Sequence, residues 1–582
     1  MSADGSSPEP VSDAPHERAV VWPTPSHTEE EPSAGLRLSG PLLSAATWLS
    51  KMPVTAQAVR VAARGMLGLG ALARLPEAFR GSPPDDPKPR RARPPRRWDD
   101  ARLALPRSDV GPADIARYRE AYASGRADPE RVATSALEAL MGLARRTPRM
   151  NVLAACDPEQ VARDARASAD RIAKGTARPL EGVPFLAKDQ HDVAGLPTRF
   201  GSRGARGVVT RDATQIGRLR AAGAVVLGKS VMTEWGISPI GTSAHATLPR
   251  NPHAVGHVAG GSSTGSAVAV ALGAGPFATG GDAGGSVRVP AAWSGIFGIK
   301  PTFGRISRSG EAAWGSLSHV GMLGVSAADL ATVLDIVASA ADPSDPFTLA
   351  AEASPFESFG ERLGDGVRGL RIGIDEKEWE DCTAEISSLS RAALTALERD
   401  GAKLVPVRIP LARHAAALGI ATIGCEGVAL AESTDPSERD HLAVDIRLAL
   451  NVAAGVSGAE YLQVQRLRMG LRSQVSAALL GVDILALPVV PISAPRLSDK
   501  SYGEVFSDAS LVTSVCRHTF LANLTGLPAA SAPIGTDRHG VPVGLQLVAD
   551  AWDEAGLLAV LAHLQRAGVS VPRPPDRAFS WV

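Results

Sequence analysis

Apolar residues recur at intervals of three and four over 113–123, 130–146 and 158–174, the period of helices that bury one face. The pattern then changes. Val183–Ala187 is an unbroken apolar run, short enough for a strand buried on both sides. Further runs of this kind, Ala224–Leu227, Phe277–Thr279, Ile484–Leu487 and Pro542–Leu547, alternate with Ala-rich helical stretches. Strand–helix alternation over 108–575 predicts an α/β fold: a single large domain built on a mixed β-sheet with helices on both faces. No internal repeat is present.

Upstream, the pattern divides in three. Residues 1–35 are polar and rich in Pro, Ser and Glu, and read as a disordered tail. Residues 36–81 read as an amphipathic helical N-terminal extension. Arg60, Arg64 and Arg74 fall on one arc of it, so it suits either docking on the main domain or peripheral contact of 41–80 with a membrane surface. Its Gly68-Leu-Gly70-Ala-Leu-Ala73 has the form of a dinucleotide fingerprint but follows no strand, and is dismissed. Residues 82–97 (SPPDDPKPRRARPPRR) predict a stiff Pro/Arg-rich linker that carries on to 107.

Composition narrows the partners. Net charge is zero, which supplies no basic field, so no nucleic-acid partner is expected. Aromatic residues are only 4%, so Ala and Gly must do much of the packing. Cys156, Cys382, Cys425 and Cys516 are widely spaced, so neither a disulfide framework nor a zinc site is expected. The chain opens without a signal-peptide pattern, and no run reaches the roughly 18 apolar residues of a membrane span, so a cytoplasmic location is expected.

The chemistry concentrates in 259–301, where two glycine-flanked serine clusters bracket a small-residue helix at about 264–274. In Gly280-Gly-Asp-Ala-Gly-Gly-Ser286, consecutive glycines let backbone N–H groups turn toward one point, as an oxyanion site requires, with a serine placed to attack the same carbonyl. No histidine lies in a suggestive motif. His253 and His257 are flanked by Pro252 and Gly256, which argues against a metal-binding helix face. Lys188 closes the apolar run Pro184-Phe-Leu-Ala-Lys188. Burial there would lower its pKa toward roughly 7–8, the range of a working base.

Together these pieces resemble the amidase signature family, whose pattern reads GGSSGGSA…GTDTGGSIRxPA…GxKPT. The matching residues are Gly260-Gly-Ser-Ser-Thr-Gly-Ser-Ala267, Gly280–Ala291 and Gly298-Ile-Lys-Pro-Thr302, with Ser262 and Ser286 separated by 24 positions. The upstream lysine motif GxPxxxKDxxDVxGxxTxxGS matches Gly182–Thr198 through Gly201-Ser202. The resemblance spans about 110–570. Further matches are Asp345-Pro346 at a helix end, a helix at Tyr461, and Asn523–Pro528 and Pro542–Leu547 as C-terminal strands.

The resemblance implies the amidase signature fold, a small-molecule amide substrate and no cofactor or metal. It implies Ser286 as acyl-forming nucleophile, Ser262 (after a cis peptide bond) as proton relay and Lys188 as base. Backbone N–H groups of Ala283, Gly284, Gly285 and Ser286 would form the oxyanion hole, and Asp282 with Arg288 would hold the loop. Thr264, Gly281, Ala283 and Ser318 depart from the family's usual residues. Besides a non-catalytic scaffold or membrane-surface binder using residues 41–80, two other catalytic readings stay open. One is a glutamine-hydrolysing subunit of a tRNA-dependent amidotransferase. The other is an α/β-hydrolase-type esterase in which Gly261-Ser-Ser263-Thr-Gly265 is a nucleophile elbow and His319, His518 or His563 is the base. Oligomeric state is open, a homodimer included.

Overall fold

A computed structural model describes residues 37–52, 58, 61, 62, 65, 68–81, 89–94, 96–99, 112–145, 149–204, 206–312, 315–349, 358–497, 506–576 and 578–582. The tail 1–35, Arg60 and Arg64, and much of 82–107 lie outside the described residues.

The N-terminal helices begin where the sequence supplies a cap. Asp128 accepts the Arg131 N–H (2.9 Å) and Asp157 accepts the Gln160 N–H (3.1 Å). In each case Pro occupies the first helical position and Glu the first turn, a combination that satisfies orphan donors and the helix dipole. The resulting helices, Ile115–Ala123, Pro129–Leu143 and Pro158–Ala173, follow the predicted periods closely.

The predicted runs become members of one eleven-stranded mixed sheet. Its order is Lys403–Pro406, Arg371–Ile374, Ile484–Pro488, Pro542–Ala549, Ala529–Thr536, Phe297–Lys300, His319–Gly324, Phe277–Asp282, Pro184–Lys188, Val225–Ser230 and Leu153–Ala155. Pro184–Lys188 pairs in parallel with both Phe277–Asp282 and Val225–Ser230. Central strands are buried at every residue. Because successive side chains point to opposite faces, both faces must be covered, here by helices. The helix Thr264–Ala271 is buried all round, as its uniform small apolar composition demands. A Cβ at Gly265 would lie 2.8 Å from the carbonyls of Val152 and Val231, so only glycine allows that approach.

Several expectations need correction. Asp345-Pro346 opens a 3-10 turn, Pro346–Thr348, with Asp345 as its cap; the preceding helix has ended at Val337. Asn523 and Thr525 belong to the helix Phe520–Thr525, and the strand starts only at Ala529. The helical stretch Ala412–Ser433 is by length and composition long enough to cross a membrane, although Arg413, Glu426 and Glu432 interrupt it, so no uncharged run of 18 exists there; 44% of an 18-residue window within it is buried inside the protein.

The Pro/Arg-rich segment is, in its described part, a docked strap and not a free spacer. Arg93 and Arg96 pair with buried Asp483, Arg97 with Asp365, and the Trp98 indole lies beneath the Arg362 guanidinium (4.1 Å). Arginine supplies the partners that keep it down. In the extension, the helix Gly40–Lys51 buries Leu43, Thr47 and Ser50 against Val444–Ala453. Thr47 Oγ1 donates to the Val444 carbonyl (3.3 Å) and Asn451 Nδ2 to Ser50 Oγ (2.8 Å). Its other face exposes Leu42 and Trp48.

Candidate active site

The parallel pairing of Pro184–Lys188 with Phe277–Asp282 brings Lys188 and Asp282, the last residues of those strands, to the same sheet end. That carboxyl end is where open α/β sheets leave a crevice. An open cleft of about 450 Å³, solvent at its mouth included, lies there, lined by Lys188, Ser262, Ala283 and Ser286 among others.

Lys188 is buried. Its Nζ is 2.8 Å from Ser262 Oγ and 3.0 Å from the Gly281 carbonyl. Burial removes the water that would solvate an ammonium and lowers the Lys188 pKa to about 7, against the raising effect of the Glu311 and Asp282 charges. The Gly261–Ser262 peptide bond is cis. The two serine turns lie side by side because the Ser263 N–H donates to the Ser286 carbonyl (3.1 Å).

A second buried strand lysine, Lys229, has a different fate. Its ammonium is spent on the Asp189 carboxylate (3.2 Å), Thr198 Oγ1 (2.6 Å) and two carbonyls, all outside the cleft lining. Two strand lysines of similar burial are thus told apart only by what faces them.

The loop Asp282–Arg288 is held by a buried network. Arg288 donates to both Asp282 oxygens (2.9 Å each), to Gln546 Oε1 (2.6 Å), to Asn523 Oδ1 (2.7 Å) and to the Thr519 carbonyl (2.9 Å). Burial alone would raise the Asp282 pKa, but the Arg288 guanidinium outweighs it and holds the carboxyl well below the usual range. Asn523 Nδ2 returns to the Asp282 carbonyl (2.9 Å), and Thr519 Oγ1 donates to the Gly284 carbonyl (2.5 Å).

One expected oxyanion donor is corrected by this network. The Gly285 N–H donates to Asp282 Oδ1 at 2.7 Å and is not free for an oxyanion. The N–H groups of Ala283, Gly284 and Ser286 have no acceptor among the described residues. Such orphan donors are rare inside proteins.

The residues that depart from the family pattern have local explanations. A Cβ at Gly281 would run into the Gln190 amide, so the space a larger residue would fill is taken by Gln190, itself a cleft residue. Thr264 Oγ1 donates to the Gly260 carbonyl (2.7 Å). Ser318 lines the cleft.

The esterase reading finds no geometry. Ser263 is fully buried, its hydroxyl directed at the Gly281 carbonyl (3.4 Å) and outside the cleft lining. His319 bonds the Leu317 carbonyl (2.7 Å), His518 lies between the Pro488 and Glu378 carbonyls, and His563 pairs with Asp400 (3.0 Å). His253 bonds the Ser294 carbonyl and the His257 ring lies tilted against that of His539, centroids 5.6 Å apart.

Sequence reasoning assigned no individual role to Phe200, Trp235, Ile237, Leu317, Ile423 or Glu426, which also line the cleft. Phe200 (φ 53°) and Trp235 (φ 52°) both adopt the left-handed conformation that costs a bulky residue about 1–3 kcal/mol, and the Trp235 N–H donates to the Phe200 carbonyl (3.0 Å). No motif announces them. Asn523 and Gln546 fall in segments matched to the family and Thr519 in none, but the role of all three on the loop was unreadable, because they meet Arg288 from more than 230 residues away.

Comparison with known proteins points to one family. The amidase family model matches residues 136–558. The A subunit of the glutamyl-tRNA(Gln) amidotransferase of Anaeromyxobacter sp. (strain K) is 35% identical over 447 residues, 71% of this chain and 88% of that protein. Its counterpart of the same name in Cupriavidus necator is 33% identical over 466 residues, 74% and 92% of the two chains. Among solved structures, the native peptide amidase of Stenotrophomonas maltophilia superposes with a TM-score of 0.68 at 28% identity, covering 82% of this chain and all of the other.

Proposed function

We propose that this chain, which belongs to the amidase signature family, hydrolyses a carboxylic amide to an acid and an amine or ammonia through an acyl-enzyme on Ser286. The observation that carries this reading is the buried Lys188, poised near neutrality and 2.8 Å from Ser262, in the cleft that Ser286 also lines.

A neutral amine keeps a lone pair. With one Lys188 N–H donated to the Gly281 carbonyl, that pair is available to the Ser262 hydroxyl. Ser262 passes its proton to Lys188 as it takes one from Ser286 Oγ, which attacks the amide carbon. The orphan N–H groups of Ala283, Gly284 and Ser286 then receive the oxyanion without reorganising. The relay returns the proton to the leaving nitrogen and the C–N bond breaks. Water, deprotonated through the same relay, hydrolyses the Ser286 ester and frees the serine. Asp282 and Arg288 act on the loop and not on the substrate.

A fluorophosphonate should label Ser286, read by mass spectrometry of the intact chain. Lys188→Ala should lower amide turnover by at least the 10²–10⁴-fold typical of general-base help. Labelling of Ser263 in place of Ser286, or an unaffected rate, would overturn the assignment.

The similarity to amidotransferase A subunits carries a second reading, glutamine hydrolysis with the ammonia passed to a partner. Glutamine turnover that appears only when partner proteins are added would favour it over a stand-alone amidase.

A further inference from the structure

We infer that Glu426 sets substrate selectivity, and that the amides taken by this enzyme carry a cationic group on an apolar or aromatic body. The inference rests on the amidase reading above and names its substrate class.

The ionisable residues among those lining the cleft are Lys188, Asp282 and Glu426. Lys188 is committed to Ser262, and the charge of Asp282 is met by Arg288. Glu426 differs. Its carboxylate accepts the Ser316 N–H (2.9 Å), the Ser316 hydroxyl (2.6 Å) and the Tyr461 hydroxyl (3.2 Å), all neutral donors. A carboxylate has about four acceptor positions, so these three orient it and leave capacity on a side chain that faces the cleft. Gly315 allows this placement, because a Cβ there would collide with Glu426 Oε2.

Two cations border this network, and neither lines the cleft; one, Arg308, donates to the Gly315 carbonyl (3.0 Å). The other, Arg468, donates to Ser316 Oγ (2.7 Å) and to the carbonyls of Ser316 (3.2 Å) and Leu524 (2.9 Å). It reaches the Glu426 carboxylate through Ser316 and makes no direct ion pair with it among the described residues. Tyr461 and Arg468, two helical turns apart on Gly458–Gly481, therefore present one oriented anion to the substrate.

Most of the remaining side chains are apolar: Phe200, Trp235, Ile237, Leu317 and Ile423 line the cleft, with Gln190 and Ser318 as neutral polar members. An anion among aromatic groups suits an organic cation, through Coulomb attraction and ring-face contacts together. A carboxylate-bearing substrate meets no free cation among the described lining residues.

The test uses three ligands of nearly one shape: benzamidinium, benzamide and benzoate. Their affinities are measured calorimetrically on Ser286→Ala, which prevents turnover, and on Ser286→Ala/Glu426→Gln, which keeps the shape of the side chain. The first protein is expected to bind benzamidinium at least about tenfold more tightly than benzamide, and benzoate most weakly; the second should lose that order. Absence of the preference in the Ser286→Ala protein, or its survival in the double variant, overturns the inference. Circular dichroism and the benzamide affinity report whether the double variant is folded. Because binding is read without turnover, a failure of the amidase assignment appears separately, as absent fluorophosphonate labelling of Ser286 in the unmodified chain.

Discussion

At the scale of single residues, Lys188 is the group on which the proposed chemistry depends. It is 1% exposed, and burial lowers its pKa to about 7 from the 10.5 of a free lysine. Only the neutral form can accept a proton. The kcat/KM for an amide should therefore rise as pH increases through about 7 and level off above it. The same shift bears on stability. Between about 7 and 10.5 the unfolded chain binds the Lys188 proton and the native chain does not, so this group's penalty on folding is largest below 7 and vanishes as pH rises toward 10.5. A pH–rate profile flat from 6 to 9 would contradict the assignment. Gly281 and Gln190 make a second point at this scale: a glycine where the family pattern has a larger residue is matched by a glutamine that fills the space.

At the scale of elements, the loop between Phe277–Asp282 and Arg288–Ser294 owes its shape to residues outside it. The Asp282–Arg288 pair is wholly buried, and such pairs are costly to form but more costly to break. Arg288→Met should destabilise the protein by about 3–5 kcal/mol, read from urea unfolding, and should depress amide turnover, because Asp282 then orients the Gly285 and Val287 N–H groups as an uncompensated charge. Asp282→Asn added to Arg288→Met should recover part of the stability. The helix Gly40–Lys51 belongs to this scale too. It docks through Leu43, Thr47 and Ser50 on Val444–Ala453. Next to that helix in sequence, Ala443 donates its N–H to Glu234 (2.8 Å), the neighbour of Trp235 in the cleft wall. The extension is thus packed on an element that itself abuts the substrate cleft.

At the scale of the whole molecule, the strap 89–99 ties the N-terminal extension to the far half of the sheet. Asp483 precedes the strand Ile484–Pro488, and Asp365 and Gly366 precede Arg371–Ile374. Replacing Arg93 and Arg96 together by Ala should raise hydrogen exchange across 89–99 by about tenfold or more, a local opening of a segment held by few contacts. Turnover should be unchanged, since neither arginine lines the cleft. Slower turnover with unchanged exchange would show that the strap acts on the site.

The chain's local order was enough for the parts whose physics is local. Asp-Pro-Glu triplets start helices, uniform small apolar runs become buried elements, and Lys188, Ser262 and Ser286 stand out because glycines and a strand end mark their surroundings. What lay beyond reach of the sequence were relations between distant segments. Arg-rich chain reads as spacer until Asp483 and Asp365 are found beneath it. The Gly285 N–H reads as a free donor until Asp282 is seen to take it. The roles of Thr519, Asn523, Gln546 and Glu426 were not legible, even where the segment matched the family, because a hydrogen-bond partner or a cleft wall is defined by distance in space. Sequence alone determined which groups carry the proposed chemistry; only the tertiary structure decided which donors are free and what faces the substrate.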